Sequence, residues 1–263
     1  MIKLSKLTTL LFLLLTISFS CSKDDTQRSK SKEAPQAAYD SDKIRAFLVH
    51  DLQLNPDELE ERDESFIYQH DIEFPKANFW EDYGNVDFKA KHRKSSYKVN
   101  PTGAAYVYFN AGVPSSWKTQ MLNAMSEWNA LGGPLYFYEY VYPYTYTGIG
   151  VINVRYEDFG SGDENVFARA GFPKSSGSIH KEIKINSGYT GTTLYNSHKK
   201  KVSAHELGHC IGFCHTNTSD GSLLYTGNYG CDTYDDSQSI MRQGRISWAG
   251  FSTCDELAYE ALY

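Results

Sequence analysis

The chain has 263 residues, 41% hydrophobic and 14% aromatic, enough for one or two domains with sizeable cores. Its formal net charge is -6 and its pI is about 5.8. That balance argues against nucleic acid as a partner, since phosphate binding needs a basic surface. The 20 tyrosines bring apolar area with a hydroxyl and fit a tyrosine-rich exported composition.

Residues 1–20 read as a lipoprotein-type signal peptide. Lys3 and Lys6 give a positive start, and Leu7 to Phe19 is an apolar run. That run is shorter than the roughly 20 residues needed to span a bilayer. Ser18-Phe19-Ser20-Cys21 looks like a bacterial lipobox, with Cys21 as the acylated residue. Ser22-Lys23-Asp24-Asp25 resembles the export tag of bacterial surface lipoproteins. The expected location is the outer membrane or cell surface, or outside the cell after processing. Membrane contact is expected only through the lipid, and the chain is expected to be a monomer.

Residues 21–38 have almost no large apolar side chain and read as a solvated tether. Residues 39–95 are strongly charged. Asp42 is placed to cap a helix through Ile44, Phe47 and Leu48, and Asn55-Pro56-Asp57-Glu58 opens another helical start. Phe66 to Pro75 reads as one strand. Lys89-Ala90-Lys91-His92-Arg93-Lys94 is a basic run, which suits a solvated linker or a processing site.

Residues 96–263 form the expected compact domain. Ala104 to Phe109 reads as a strand. Pro114-Ser115-Ser116 starts a helix, on which Trp117, Met121, Met125 and Trp128 share a core face, and Gly132-Gly133 stops it. Leu135 to Tyr146 reads as a strand with tyrosine on alternate residues, and Gly150 to Tyr156 as another. Asp158 to Asn165 is a glycine-rich acidic loop; it lacks calcium-loop spacing, so calcium there is unsupported. Ile179 to Asn186 alternates as a further strand. The element order indicates a mixed α+β domain.

Of the cysteines after Cys21, Cys210 and Cys214 fit a mutual bridge poorly. Each is expected to pair with Cys231 or Cys254, or one pair to stay reduced. No Cys-x-x-Cys spacing supports zinc ligation by these residues.

The chemistry lies in His205-Glu206-Leu207-Gly208-His209-Cys210-Ile211-Gly212-Phe213-Cys214-His215. On a helix, His205 and His209 share one face a turn apart and can meet one zinc ion. Gly212 permits a positive φ that ends the helix, so that His215 can return as a third ligand. Three histidines leave a fourth zinc position open for chemistry, whereas structural zinc is usually closed by four protein ligands. Glu206 is placed to reach water at that position as general base.

This motif is similar to that of the metzincin metallopeptidases, and Ser239-Ile240-Met241 looks like their Met-turn, with Met241 beneath the zinc. The chain most resembles the bacterial dual-action HEIGH metallopeptidases, including Trp248-Ala249-Gly250-Phe251-Ser252 and the ending from Asp255 to Tyr263. Here the core reads His-Glu-Leu-Gly-His. Gln243 stands where astacin-like enzymes carry a tyrosine, so a tyrosine switch is unsupported; a place lining the cleft and a place on the surface are both open to Arg242 and Gln243. The resemblance implies a zincin-like fold: a mixed sheet, a zinc helix at the cleft floor and a small C-terminal subdomain. It makes Ile179 to Asn186 the edge strand nearest the cleft, open to strand addition by an extended peptide. It also implies a zinc endopeptidase made as a zymogen, with one catalytic zinc ion and a protein or peptide substrate. Residues 39–95 would be the propeptide, with Asp71 as the zinc cap and His70 behind it. His50, His92, His180 and His198 are expected to be solvated. The competing readings are a catalytically silent surface binding module on the same fold, and a zinc hydrolase of glycan or peptidoglycan amides.

Overall fold

A computed structural model describes residues 40–84, 94–95, 97–100, 103–142, 147–218, 224, 226–228, 231, 236–244 and 247–263. The signal, Cys21, the tether and all of the basic run except Lys94 lie outside them. Among the described residues, no helix is long and apolar enough to cross a membrane.

The described strands build one mixed sheet. In chain order they are β1 (Leu59–Glu61), β2 (Ser65–Tyr68), β3 (Ile72–Pro75), β4 (Gly103–Phe109), β5 (Leu135–Glu139), β6 (Gly150–Glu157), β7 (Ala168–Ala170) and β8 (Glu182–Asn186). The spatial order is β1-β2-β3-β7-β8-β6-β4-β5. The pairs β5–β4, β4–β6 and β6–β8 are parallel. β7 runs antiparallel to β8, and β3 joins β7 in parallel through Ile72 and Ala170.

Alternation decides which face of this sheet is covered. Ala105, Val107, Ile152, Val154, Ile183 and Ile185 point inward and are buried with helices α3 (Ser115–Ala130) and α4 (Asn196–Ile211). Each buried Val or Ile stabilises the fold by about 1.5–3 kcal/mol. Tyr108, Tyr136 and Tyr138 are exposed. Helix α3 buries Trp117, Met121, Met125 and Trp128 on one face, as its spacing predicts. Trp128 Nε1 donates to the Ala204 carbonyl of α4 at 3.1 Å. Every residue of α4 from Lys201 to Ile211 is buried, so this helix runs inside the molecule.

Residues from Tyr39 onward pack as one unit. A second apolar cluster joins Ile44, Leu48, Leu52, Phe66, Ile72, Phe74 and the short helix α2 (Phe79–Tyr83) to Phe172 and Cys214. Helix α5 (Thr253–Leu262) closes the chain, and Cys231 is bridged to Cys254. Cys210 and Cys214 are buried and not disulfide-bonded, which matches the alternative in which one pair stays reduced.

Several local expectations change. Helix α1 (Ser41–Ala46) is capped by Asp40 and not Asp42; the Asp40 side chain accepts from Lys43 N, while Asp42 lies in the first turn. Its continuation through Phe47–Asp51 is a π-helix. Asn55 does cap a helical start, but it lasts one 3₁₀ turn, because Leu59 enters β1. The stretch Phe66 to Pro75 is a hairpin and not one strand: Gln69 and His70 have φ of 52° and 71°, which reverses the chain. The tyrosine strand ends at Glu139, and residues 143–146 of it lie outside the described ones. The strand within Ile179 to Asn186 starts at Glu182 and lies inside the sheet between β7 and β6. It is therefore not the edge strand; β7 shields it, and the hairpin covers β7 in turn. His180 is 7% exposed and not solvated, whereas His50 is exposed and His198 half-buried. His92 lies outside the described residues.

Candidate metal centre

Helix α4 carries His205 and His209 on one face, and the backbone after it is turned by Gly212 at φ 111°. Gly212 N–H reaches the Gly208 and His209 carbonyls at 3.1 and 2.9 Å, the satisfaction of last-turn acceptors that a left-handed residue permits. A Cβ at Gly212 would also stand 2.7 Å from the Tyr97 carbonyl oxygen. Both the turn and the close contact therefore require glycine. Beyond it, His215 returns to the other two imidazoles.

Each ring is fixed by its rear nitrogen. His205 Nδ1 lies 2.7 Å from the Ile240 carbonyl, His209 Nδ1 2.7 Å from the Phe213 carbonyl, and His215 Nδ1 2.6 Å from Gln69 Oε1. These oxygens only accept, so each Nδ1 carries the hydrogen and each Nε2 offers a lone pair. The Nε2 atoms converge: His205 to His215 is 3.2 Å, and His205 to His209 is 3.1 Å. Two nitrogens on one tetrahedral zinc at about 2.0–2.1 Å would stand about 3.3–3.4 Å apart. Asp71 Oδ2 completes the group, 3.0 Å from His215 Nε2 and 3.4 Å from His205 Nε2. The four ligand atoms lie within 4.8 Å of one another. Donor chemistry and spacing fit a zinc ion.

The electrostatics agree with that fit. Burial and the Lys201 charge push His205 down to about 4, which keeps the imidazole neutral, as ligation needs. Burial pushes Asp71 upward, but its closeness to the His215 and His205 rings holds its carboxyl well below the usual range. Glu206 is buried, and its Oε2 has no hydrogen-bond partner among the described residues. Burial and the Asp71 charge raise its carboxyl well above the ordinary value. Raised carboxyls suit general bases that must act near neutral pH.

The turn Ser239-Ile240-Met241 packs against α4, with Met241 Sδ beside Gly208. Ile240 and Met241 are buried, and the Ile240 carbonyl is the one that orients His205. Asp255, at the start of α5, accepts from Ser239 Oγ at 2.6 Å and Ile240 N at 2.9 Å. Gln243 lines the cavity beside Glu206 and donates from Nε2 to the Gln69 carbonyl at 2.8 Å.

The hairpin tip is gripped at three successive carbonyls. Gln243 holds Gln69, Arg169 Nε donates to His70 O at 2.9 Å, and Ala170 N donates to Asp71 O at 3.0 Å. Left-handed backbone at non-glycine residues costs of order 1–3 kcal/mol each; these contacts offset it. The buried Asp163 carboxylate pairs with Arg62 of the β1–β2 turn and with Arg169, the latter at 2.7 Å. His70 lies at the tip, but the acid in the imidazole group is Asp71.

Sequence reasoning missed Gln69, Lys201, Asp163, Arg169 and Asp255. Only Asp255 carried a local signal, since Ser252 and Asp255 have the spacing of a capping box. The others act across long stretches of chain.

The sequence of the dual-action HEIGH metallo-peptidase family matches residues 86–231, more than half of the chain. No curated protein matches. Among solved structures, the chain is similar to myroilysin, at 14% identity and TM-score 0.41, over 63% of this chain and 82% of that one. It is also similar to high choriolytic enzyme 1, a hatching enzyme zinc-protease from the medaka fish Oryzias latipes. There the identity is 15% and the TM-score 0.41, over 68% of this chain and 98% of that one. These fold overlaps are partial, and the assignment rests on the sequence match with the convergent histidines. The chain belongs to the dual-action HEIGH metallo-peptidases and is a zinc metallopeptidase.

Proposed function

We propose that the chain is a zinc endopeptidase made as a zymogen, with His205, His209 and His215 as its zinc ligands. The observation that carries this reading is the convergence of three Nε2 lone pairs on one point, closed by Asp71 Oδ2. Zinc, when bound, supplies Lewis-acid charge to a water molecule and to the peptide carbonyl. Glu206 accepts the proton of the attacking water and passes it to the leaving amine. Met241 and the Ile240 carbonyl keep the first imidazole in place. Substrates are proteins or peptides.

Asp71 holds the fourth position in the latent form, and the β2–β3 hairpin covers the site. Residues 39–95 are then the propeptide and residues 96–263 the catalytic domain, with Asp71 and not His70 as the cap. Residues 1–20 serve as the signal, Cys21 as the lipid-bearing residue, and 21–38 as the tether of a surface lipoprotein, which processing can release.

Glu206→Ala tests the catalytic assignment. The variant is expected to retain one zinc per chain and to lose hydrolysis of casein. Parallel digestion of casein and peptidoglycan, with and without a chelator, separates a peptidase from an amide hydrolase of the cell wall. Substantial peptidase activity in the variant would overturn the role of Glu206.

A further inference from the structure

Arg169 stands on β7, beside the hairpin tip, and is 5% exposed. Its Nε donates to the His70 carbonyl at 2.9 Å. The next residue, Asp71, brings its carboxylate to the point where the three imidazoles meet. The Asp71 carbonyl in turn accepts from Ala170 N at 3.0 Å. Arg169 therefore holds a main-chain oxygen one residue away from the one whose side chain reaches the zinc position.

The groups that fix the guanidinium do not belong to the hairpin. Its Nη2 lies 2.7 Å from Asp163 Oδ1, and it lies over the Phe159 ring, 4.5 Å from the centroid. Asp163 is itself tied to the sheet, because Asn186 Nδ2 of β8 donates to its carbonyl at 2.9 Å. Departure of residues 39–95 takes Arg62 from Asp163 and the His70 carbonyl from Arg169. The Asp163 pair and the Phe159 contact stay. The Nε is then a preset donor that has lost its acceptor, and an unmet donor in a buried wall is costly.

A peptide whose scissile carbonyl reaches the zinc takes the place of the Asp71 carboxylate. The cavity beside Glu206, about 370 Å³, is lined by Phe167, Ala168, His205 and Glu206, with His70 and Asp71 of the hairpin tip. Once the tip has left, the peptide runs past β7, where the tip ran before. Every residue of a peptide carries a carbonyl, so this donor suits the chain whatever its side chains.

We propose that Arg169 is a substrate-positioning residue: after the N-terminal segment has left, its Nε donates to the main-chain carbonyl next to the cleaved bond, where it now holds His70. This rests on the peptidase and zymogen reading above. A charge-assisted hydrogen bond of this kind favours the held peptide by about 10- to 100-fold.

The test uses the zinc-loaded full chain, nicked by trypsin in the run 89–94, with the cut checked by mass spectrometry and the trypsin then inhibited. A peptide that is cut at one bond is remade twice, with a trans-alkene replacing the peptide bond before the cleaved one and then the one after it. One of the two alkenes is expected to lose about 10- to 100-fold in kcat/KM. In Arg169→Met that loss should vanish, while cleavage of the parent peptide falls by a similar factor. Arg169→Met leaves Asp163 without its arginine, so Arg169→Met/Asp163→Leu is measured beside it, with urea unfolding and zinc content as checks on the fold. A side chain that only braces the loop would slow all three peptides alike and leave their ratios as in the wild type. The same peptides are titrated by fluorescence anisotropy against nicked chains carrying Glu206→Ala, which reads the contact where turnover is too slow to follow. A wild-type chain that cleaves nothing defeats the peptidase reading, and this role with it. Cleavage of the parent with no loss from either alkene, or a loss that both variants keep, overturns Arg169 alone and leaves the peptidase reading standing.

Discussion

The Met241 sulfur fills the space that a side chain on Gly208 would occupy: a Cβ there would stand 2.4 Å from Met241 Sδ. Gly208 lies inside α4 between the two helical histidines, where alanine would ordinarily favour a helix by about 1 kcal/mol. Overpacking a core costs about 1–3 kcal/mol, and here it displaces the turn that orients His205. Gly208→Ala is expected to lower unfolding stability by about 1–2 kcal/mol in a urea titration. A stabilised variant would show that the Met-turn yields freely.

The same turn depends on Asp255, whose carboxylate holds Ser239 Oγ, Ile240 N and Ser252 N. Removing it leaves buried donors without partners, a cost of about 1–3 kcal/mol for each. Asp255→Ala is expected to unfold at lower urea. Because Ile240 O anchors His205, the variant should also bind zinc about tenfold more weakly in chelator competition. Wild-type zinc affinity would separate the turn from the metal site.

Asp71→Ala removes the carboxylate that faces the imidazoles, while Gln69 and His70 keep their carbonyl contacts. Casein hydrolysis is expected from the unprocessed chain, with its intact N-terminus checked by mass spectrometry. A variant that stays latent until it is cleaved would count against Asp71 as the cap.

His180 gives a pH signature away from the ligands. Burial lowers its pKa from 6.5 to about 4; Glu73, Asp82 and a hydrogen bond involving Phe172 favour the charged form, and Lys174 opposes it. The folded imidazole is neutral, while the unfolded one takes up a proton as pH falls below 6.5. The stability tied to His180 is therefore complete above that pH and is lost on the way down to about 4, some 3 kcal/mol in all. Between about pH 7 and about pH 4.5, His180→Gln should lose about 2–3 kcal/mol less stability than the wild type. Parallel stability curves would contradict a neutral buried His180.

The zinc helix was legible because its chemistry is local: His205, His209 and Gly212 relate through helix geometry alone. The core face of α3 was legible for the same reason. Strand positions were harder. Alternation marks Ile183 and Ile185 as inward-facing, but it does not say which strand borders them, and β7 is a short segment with no pattern of its own. The hairpin reads as one strand in the sequence because Gln69 and His70 adopt left-handed backbone without glycine. Contacts from Gln243, Arg169 and Glu58 hold that turn. His180 reads as solvated because nothing in its sequence neighbours marks its burial.

Anomalous diffraction at the zinc edge from crystals of the zinc-loaded full chain tests the central claim most directly. One peak is expected, about 2.0–2.2 Å from His205, His209 and His215 Nε2 and from an Asp71 carboxylate oxygen. Zinc bound elsewhere would contradict the site, and a peak held by the three histidines with water in place of Asp71 would contradict the latency.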